Sequence, residues 1–338
     1  MSNDMTRREV MLSAPLLAAQ TGGSASGGVA RRPLGKTGVT VSCMGLGGSH
    51  IGKMERAEGI RIIRQALDHG LNFLDNSWDY NSGESETRMG EALRDGYRSK
   101  AFLMTKFDGR TKESAMKQIE ESLTRLRTDQ VDLLQFHETI RFDDPDRFFA
   151  PGGAAEALVQ ARKDGKTRFV GFTGHKDPHI HLYVLELARK HNCQFDAVQC
   201  PVNVMDAHFR SFTRHVLPEA RRMGIAVLAM KSLGSGIVLK SGTAGAEECL
   251  RFALSQPVAT VITGIDSRKT LDQALRVASS FQPMGEAEMS ALLEKTAAAA
   301  AGGRYELFKT SSHFDSTAMH PEWLGKEGPA VRELTAGE

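Results

Sequence analysis

The chain has 338 residues, of which 41% are hydrophobic and 25% are charged. This is ordinary globular composition, and the length suits one large barrel as well as two average domains. The 43 basic and 41 acidic side chains leave a net charge of +2, which gives no reason to expect a nucleic acid or an acidic polymer as a partner. Apolar runs are shorter than the roughly 18 residues that a membrane-spanning helix needs.

The first 30 residues differ from the rest of the chain. Arg7 and Arg8 precede a short apolar stretch that ends at Ala19, and a Gly/Ser-rich segment follows from Thr21 to Gly28. This arrangement resembles a twin-arginine export signal, which implies the twin-arginine export machinery as a partner and a periplasmic or exported location. A disordered tail containing two arginines is the alternative, and the protein would then be cytoplasmic. In either case we expect the fold to begin near residue 31.

From residue 40 onward, short β-rich runs alternate with amphipathic stretches. The stretch Ala57–His69 shows the helical spacing, because Ile60, Ile63 and Leu67 fall on one face. Eight strand–helix repeats predict an α/β fold, a closed (β/α)8 or TIM barrel. The predicted strands are Ser42–Leu46, Asn72–Leu74, Ala101–Met104, Val131–Gln135, Phe169–Phe172, Ala197–Gln199, Ala226–Ala229 and Thr260–Ile262. The other predicted helices are Ser114–Leu126, Ala154–Lys163, Pro178–His191, Phe212–Met223, Glu247–Leu254 and Thr270–Ala278.

A doubly wound open sheet is the alternative architecture. It usually carries a GxGxxG turn after its first strand, whereas Gly45-Leu46-Gly47-Gly48 lacks that pattern here. A hairpin with Gly35 and Gly38 at its turn precedes the first strand, and we expect this N-terminal β-hairpin to cap the bottom of the barrel. The barrel is predicted over residues 31–300, and residues 301–338 form a C-terminal tail without a clear period.

Polar side chains interrupt three successive predicted strands at their carboxyl ends. Asp75 ends the second strand, with Tyr80 five residues on; Lys106 follows the third and His137 the fourth. Active sites of barrels lie at this end, so the four side chains should converge in one pocket. Each alone is ordinary, because a strand-end Asp is often a turn residue, a Tyr a packing residue and a Lys a solvated edge. Four at successive strand ends indicate a site.

The four groups suit the reduction of a carbonyl by hydride, which requires a proton for the developing alkoxide. A phenol such as Tyr80 is a weak acid at neutral pH unless a cation stabilises its anion. Lys106 supplies that charge, and Asp75 holds the lysine. His137 donates a hydrogen bond to the carbonyl oxygen and orients it.

The motifs around these residues resemble a known family. Gly70-Leu71-Asn72-Phe73-Leu74-Asp75 with Tyr80, Thr105-Lys106, and Asp132-Leu133-Leu134-Gln135-Phe136-His137 are similar to the aldo-keto reductase signature. The resemblance runs from about Leu34 to Ala278. It implies an oxidoreductase that reduces aldehydes or ketones with NADP(H), or with NAD(H) as the less favoured cofactor. By the resemblance, Asp75, Tyr80, Lys106 and His137 are the catalytic residues.

The resemblance also implies where the nicotinamide is held. Gln199 matches the glutamine that contacts the carboxamide, and Asn203 lies where a nearby asparagine is expected. Thr173 keeps a hydroxyl group, but Gly174 stands where many family members have asparagine. Met230 replaces the tyrosine that normally stacks on the nicotinamide ring; its thioether offers a soft apolar surface without a π face.

Two loops are expected to hold the phosphates. Leu233 and Gly234 begin a glycine-rich loop that resembles a backbone clasp for the pyrophosphate. After the eighth strand, Gly264 leads into a helix start, which is a natural phosphate site. A capped, solvated helix start is the alternative for this second loop, whereas its basic pair predicts a 2′-phosphate and therefore NADP(H). The residues expected to contact the cofactor there are Gly264, Ser267, Arg268, Lys269 and Gln273.

Other chemistries are less favoured. His175, His179 and His181 suggest a metal, but histidines on a loop are more often surface groups, and we predict no metal site. The scattered cysteines lack a CxxC pair, which fits free thiols. Three carboxylates after His137 raise the alternative of a barrel glycosidase. They cluster in one polar loop, however, and are better interpreted as a substrate gate or a solvated stretch; they are Asp143, Asp144 and Asp146.

Two alternative functions stay open at this point. One is a nucleotide-binding sensor or partner subunit with the same fold and little turnover, suggested by the changes at Met230 and Gly174. The other is a barrel hydrolase, which would not bind a nucleotide. The four polar residues at the strand ends favour an active reductase over both.

Overall fold

The computed structural model describes residues 28–325. The twin-arginine segment, apart from residues 28–30, and the last part of the predicted tail, residues 326–338, lie outside the described residues.

A short antiparallel hairpin opens the described chain. Its strands are β1 (Arg31–Pro33) and β2 (Thr40–Ser42). Gly35 and Gly38 have positive φ angles of 55° and 76° in the turn, which glycine adopts without steric cost. Leu34 and Val41 are buried against the lower interior of the barrel. The hairpin therefore closes the bottom of the barrel, as the sequence predicts.

Eight parallel strands form a closed barrel in chain order, with β10 pairing to β3. The predicted (β/α)8 barrel is confirmed, and each predicted strand corresponds to one barrel strand. The strands are β3 (Met44–Gly47), β4 (Phe73–Asp75), β5 (Phe102–Phe107), β6 (Val131–Phe136), β7 (Thr167–Thr173), β8 (Ala197–Pro201), β9 (Ala226–Met230) and β10 (Thr260–Gly264).

Helices surround the barrel and bury one face each against it. The first is typical, since Ile62, Ile63 and Ala66 are buried while its opposite face is exposed. The helices are α1 (Arg56–Asp68), α2 (Glu84–Ala92), α3 (Lys112–Leu126), α4 (Asp144–Phe149), α5 (Ala154–Lys163), α6 (Pro178–Lys190), α7 (Phe212–Met223), α8 (Ala246–Ser255), α9 (Arg268–Ser279), α10 (Glu286–Ala300), α11 (Leu307–Thr310) and α12 (Ser316–Met319).

The acidic stretch after β6 is solvated only in part: Asp143 and Asp146 are exposed, whereas Asp144 is not the solvated residue that the sequence predicts. Asp144 begins α4 and is completely buried, with its Oδ1 2.8 Å from Nε of the equally buried Arg110. Its other oxygen accepts from the backbone N–H groups of Ile140 and Arg141. A buried carboxylate needs such partners because burial without them is costly. The prediction fails here because Arg110 lies 34 residues away in sequence.

Residues 301–325 pack across the carboxyl end of the barrel. Their main anchor is Lys309, which is buried with its Nζ 2.7 Å from Asp206 Oδ1 and 2.9 Å from Glu306 Oε1. Farther on, the Leu324 carbonyl oxygen accepts from the Arg110 backbone N–H at 2.8 Å. This C-terminal segment is therefore part of the wall around the barrel mouth.

Within residues 28–325, no helix has both the length and the apolar character needed to span a membrane. All four cysteines are free thiols, and Cys43, Cys200 and Cys249 are buried.

Candidate active site

The carboxyl ends of β4, β5 and β6 bring the four predicted catalytic residues together. Backbone pairing continues past the strand ends, since the Trp78 N–H donates to the Lys106 carbonyl and the His137 N–H to the Phe107 carbonyl. Alternate residues of a strand point to the same face. Asp75, Lys106 and His137 each lie on the face of their own strand that points into the barrel, so all three reach the interior of the mouth.

Lys106 links two of the other groups. Its Nζ lies 2.6 Å from Asp75 Oδ1 and donates to the Tyr80 hydroxyl at 3.2 Å. It also donates to the Asn76 carbonyl oxygen at 2.7 Å. Lys106 is buried, so these three acceptors fix its ammonium group and leave it beside the phenol. This is the relation between proton donor and cation that the sequence predicts.

The Tyr80 hydroxyl nevertheless keeps its proton firmly. Burial raises the pKa of Tyr80 well above 10, and the carboxylates of Asp75 and Asp79 raise it further. Lys106 therefore does not make the free phenol acidic, because burial of the hydroxyl and the nearby negative charges outweigh it. Tyr80 is fully protonated at neutral pH and releases its proton only to a stronger base, such as an alkoxide.

His137 lies beside Tyr80, with the ring centroids 5.7 Å apart and the rings nearly perpendicular. Its Nδ1 is 2.9 Å from Asp108 Oδ1, 3.1 Å from Ser77 Oγ and 3.3 Å from Asp79 Oδ1. Burial alone would lower the pKa of His137, but the two carboxylates raise it to about 10. With Nδ1 engaged, Nε2 is the ring nitrogen available to a substrate.

The donor atoms of Asp79, Asp108 and His137 lie within 4.8 Å of one another, close enough for a metal ion to be considered. A proton on Nδ1 donated to Asp108 accounts for the 2.9 Å distance, while Asp79 Oδ1, which has no hydrogen-bond partner within the described residues, interacts with the ring through its charge.

Backbone strain marks the same end of the barrel. Six non-glycine residues in the loops after barrel strands have positive φ angles, namely Asn81, Ser82, Glu138, Arg210, Lys231 and Ser235. Such conformations cost about 1–3 kcal/mol each and cluster at functional sites. Asn81 and Glu138 directly follow Tyr80 and His137 in the chain, and Ser82 lies two positions after Tyr80.

Three of the residues expected at the nicotinamide end of the cofactor site lie close together. Gln199 is buried, and its Oε1 has no hydrogen-bond partner within the described residues. A buried amide oxygen without a donor is costly, and a carboxamide N–H would satisfy it. Thr173 Oγ1 lies 3.9 Å from Met230 Sδ, which brings these two predicted contacts together beside Gln199.

Two neighbouring residues have other contacts. Asn203 is buried; its Nδ2 donates to Glu306 Oε1 at 2.9 Å, and its Oδ1 accepts from two backbone N–H groups. It therefore fixes the C-terminal segment rather than facing the mouth with a free amide. At Gly174, any Cβ would collide with the Thr139 carbonyl oxygen. The asparagine common in the family has no room there.

The loop that begins at Leu233 and Gly234 is compact. The Gly234 N–H donates to the Lys231 carbonyl at 3.0 Å, and the Gly236 N–H to the Leu233 carbonyl at 2.8 Å. These two N–H groups are occupied by the loop's own turns, so a phosphate clasp depends on the loop's other backbone groups.

The start of α9 has both favourable and unfavourable charges for a phosphate. Ser267 caps the helix, with its Oγ accepting from the Thr270 N–H at 3.3 Å. Arg268 and Lys269 are exposed there. Asp266 lies at the same helix start, with its Oδ1 accepting from the Thr270 hydroxyl at 3.0 Å. Gly264 is exposed under the His50 ring, and Gln273 lies one turn farther along α9.

The C-terminal segment contacts two residues at the barrel mouth, His175 and Lys231. His175 is buried and its Nδ1 lies 2.9 Å from the Phe308 carbonyl oxygen. Lys231 Nζ lies 4.3 Å from the centre of the Phe314 ring, and burial lowers the pKa of Lys231 to about 8. His175 and His181 are thus not the surface groups that the sequence predicts, whereas His179 is exposed.

Sequence reasoning missed Asp79, Asp108 and the C-terminal segment as parts of the site. A signal for Asp108 exists, because it lies two residues after Lys106 and the period of a strand places both on the same face. No comparable signal exists for Asp79, which reaches His137 only through the turn after β4.

Comparisons with known proteins agree with this geometry. The family model described as "Aldo/keto reductase family" matches residues 43–248. An L-galactose dehydrogenase from Arabidopsis thaliana is 32% identical over 224 residues, which are 62% of this chain and 67% of that protein. An NADH-specific methylglyoxal reductase from Escherichia coli is 26% identical over 234 residues, 61% of this chain and 68% of that protein.

The solved structures include an aldo-keto reductase from Bacillus halodurans in its holo form. It is 21% identical, with a TM-score of 0.65 over 81% of this chain and 99% of that one, and at that identity it shows the fold. The family model covers more than half of the chain. The chain therefore belongs to the aldo/keto reductase family of oxidoreductases.

Proposed function

We propose that this protein reduces aldehyde or ketone substrates to alcohols with NADP(H), and that Tyr80 is the proton donor. The observation that carries the proposal is the position of Lys106, whose ammonium contacts both Asp75 and the Tyr80 hydroxyl, with His137 beside the same phenol. The nicotinamide, when bound, supplies the hydride that the carbonyl carbon receives.

The chain's own residues handle the charge and the proton. As the carbonyl carbon gains the hydride, the π electrons move to the oxygen, which becomes an alkoxide. Nε2 of His137 donates a hydrogen bond to that oxygen, and the Tyr80 hydroxyl gives it a proton. The phenolate left on Tyr80 is stabilised by Lys106, which is held in turn by Asp75.

Binding and turnover test this proposal together. We expect NADPH fluorescence to change on binding, and nitrobenzaldehyde to be reduced with equimolar NADPH oxidation. A barrel hydrolase would bind no NADPH. NADPH binding without turnover of any aldehyde or ketone in a broad panel would contradict the reductase and leave a nucleotide-binding protein.

The preference for NADP(H) over NAD(H) rests on Arg268 and Lys269, which are exposed at the start of α9. Two cations at a helix N-terminus favour a 2′-phosphate, although the Asp266 carboxylate opposes it. Replacing both basic residues with Ala should weaken NADPH binding by about 1–3 kcal/mol, the scale of charge-assisted contacts, and leave NADH nearly unaffected. Equal effects on both nucleotides would contradict the role.

We also propose export by the twin-arginine route, on the basis of Arg7 and Arg8 followed by an apolar stretch. Changing both to Lys should keep the full-length protein in the cytoplasm, because the planar arginine group and the lysine point charge are not interchangeable. Cell fractionation with mass spectrometry of the N-terminus provides the readout. A wild type found wholly in the cytoplasm with an intact N-terminus would contradict export.

A further inference from the structure

Two carboxylates lie beside one ring nitrogen of His137 in the barrel mouth. Asp108 follows β5 and Asp79 lies in the turn after β4, yet their Oδ1 atoms are 2.9 Å and 3.3 Å from Nδ1 of His137. Ionised carboxylates only accept hydrogen bonds, so Nδ1 must carry a proton to donate to Asp108, and the negative charge of Asp79 lies beside the same nitrogen. All three side chains are at least nine-tenths buried, which makes an unshared charge there costly.

The proton on Nδ1 limits what Nε2 can do. A neutral imidazole carries one N–H, so a ring protonated at Nδ1 has a bare, accepting Nε2. Such a ring would repel the lone pairs of a carbonyl oxygen. For Nε2 to donate to that oxygen, as the proposed function needs, the ring must carry both protons.

We propose that Asp79 and Asp108 are positioning residues that hold His137 as an imidazolium, so that Nε2 offers a charged N–H donor to the substrate oxygen beside Tyr80. The inference rests on the proposed function for its consequence, but the charge state itself is favoured by the two carboxylates beside the buried ring, whatever the reaction. A donor with a full charge makes a hydrogen bond roughly twice as strong as a neutral one, and its advantage grows as the oxygen becomes an alkoxide.

The charges around His137 act on both carboxylates. Burial raises the pKa of Asp79, but His137 brings it below the ordinary value. The pKa of Asp108 stays above its ordinary value, because burial and the Asp79 carboxylate outweigh the opposite effect of His137. The charged and titratable groups that face or influence this cluster come from the ends of β4, β5, β6 and β7; they are Asp79, Tyr80, Lys106, Asp108, Arg110, Glu138 and His175.

The direct test is the protonation state of His137. In protein labelled with ¹⁵N-histidine, the His137 signals are identified by their loss in His137→Gln. We expect both ring nitrogens of the wild type to stay protonated from about pH 6 to beyond pH 9, whereas an ordinary histidine loses a proton near pH 6.5. Asp108→Asn and Asp79→Asn should each lower the pH of that transition, and both together should lower it most. Asp143→Asn, which changes an exposed carboxylate after β6, is the matched control.

Kinetics separate positioning from a structural role. In Asp108→Asn, kcat/KM should fall about tenfold for each pH unit above the new pKa and recover toward the wild-type value at lower pH. An equal loss at every pH would overturn the proposal, because a structural defect does not depend on the His137 proton. If the double variant fails to fold, Asp79→Asn alone gives the same reading.

Two other results would overturn it: a neutral His137 in the wild type at pH 8, or one divalent metal ion per wild-type chain that Asp108→Asn loses. Because the NMR measurement needs no turnover, an inactive protein with a charged His137 would refute the proposed function while supporting this inference.

Discussion

The C-terminal segment should depend on a single buried cation, and Lys309→Met tests this. The Lys309 side chain is completely buried, and its Nζ contacts Asp206, Glu306 and the Phe209 carbonyl oxygen, at distances of 2.7, 2.9 and 2.7 Å. Met fills a similar volume but leaves two carboxylates buried without their cation. Breaking a buried ion pair in this way costs about 3–5 kcal/mol.

Protonation of Glu306 should limit that cost. Burial already raises the pKa of Glu306, and Asp206 adds to the effect while Lys309 opposes it. Without Lys309 the pKa rises further, so the folded state binds this proton more tightly than the unfolded state does. Stability then falls as the pH rises above the unfolded value of about 4.3. The deficit should therefore be larger at pH 8 than at pH 5.

Thermal unfolding measures the effect. About 3 kcal/mol lowers the Tm of a domain of roughly 300 residues by about 5 °C, and limited proteolysis should cut first within residues 301–325. Lys190→Met is the matched control, because its ion pair with Glu186 is exposed and such pairs contribute about 0.5 kcal/mol. If both variants melt at the same temperature, the buried ion cluster does not anchor the segment.

Three further variants test separate parts of the account. Lys106→Met removes the cation that stabilises the Tyr80 phenolate. It should therefore cut turnover on the order of 10²–10³-fold while leaving the Kd for NADPH nearly unchanged. Full activity in this variant would show that Lys106 has no catalytic role. Gly174→Ala should destabilise the fold by about 1–3 kcal/mol, because the added Cβ would collide with the Thr139 carbonyl oxygen. Gly285→Ala, at a position with open space around it, should change the Tm little. Equal Tm values for the two variants would refute the close approach of Gly174 to Thr139. Burial lowers the pKa of His181 to about 4, so the unfolded chain binds this proton more tightly than the folded chain does. The free energy of unfolding should therefore fall by about 1.4 kcal/mol per pH unit as the pH drops from about 6.5 to 4. In urea titrations His181→Phe should flatten that slope, and an unchanged slope would refute the lowered pKa of His181.

The sequence predicts the barrel well because each strand carries its own local signal. The run around Val227, for example, is apolar on both faces, as is typical of parallel strands buried between core and helices. The convergence of Asp75, Lys106 and His137 follows from the strand order alone, once the barrel is closed.

Features that depend on distant partners were not predictable in this way. The run Asp143–Asp146 is polar in sequence, and only the fold brings Arg110 into contact with Asp144. The C-terminal segment has elements of four residues, too short for a period. Its burial depends on Lys309 pairing with Asp206, 103 positions earlier in the chain.

Turnover by Tyr80→Phe at saturating NADPH tests the central claim most directly. Phe keeps the ring that packs against His137 but removes the proton that the alkoxide needs. We expect a fall in kcat of roughly 10²–10⁴-fold with the Kd for NADPH nearly unchanged, while Tyr183→Phe, which alters a half-buried tyrosine on α6, keeps wild-type activity. Near wild-type kcat in Tyr80→Phe would contradict the assignment of Tyr80 as the proton donor.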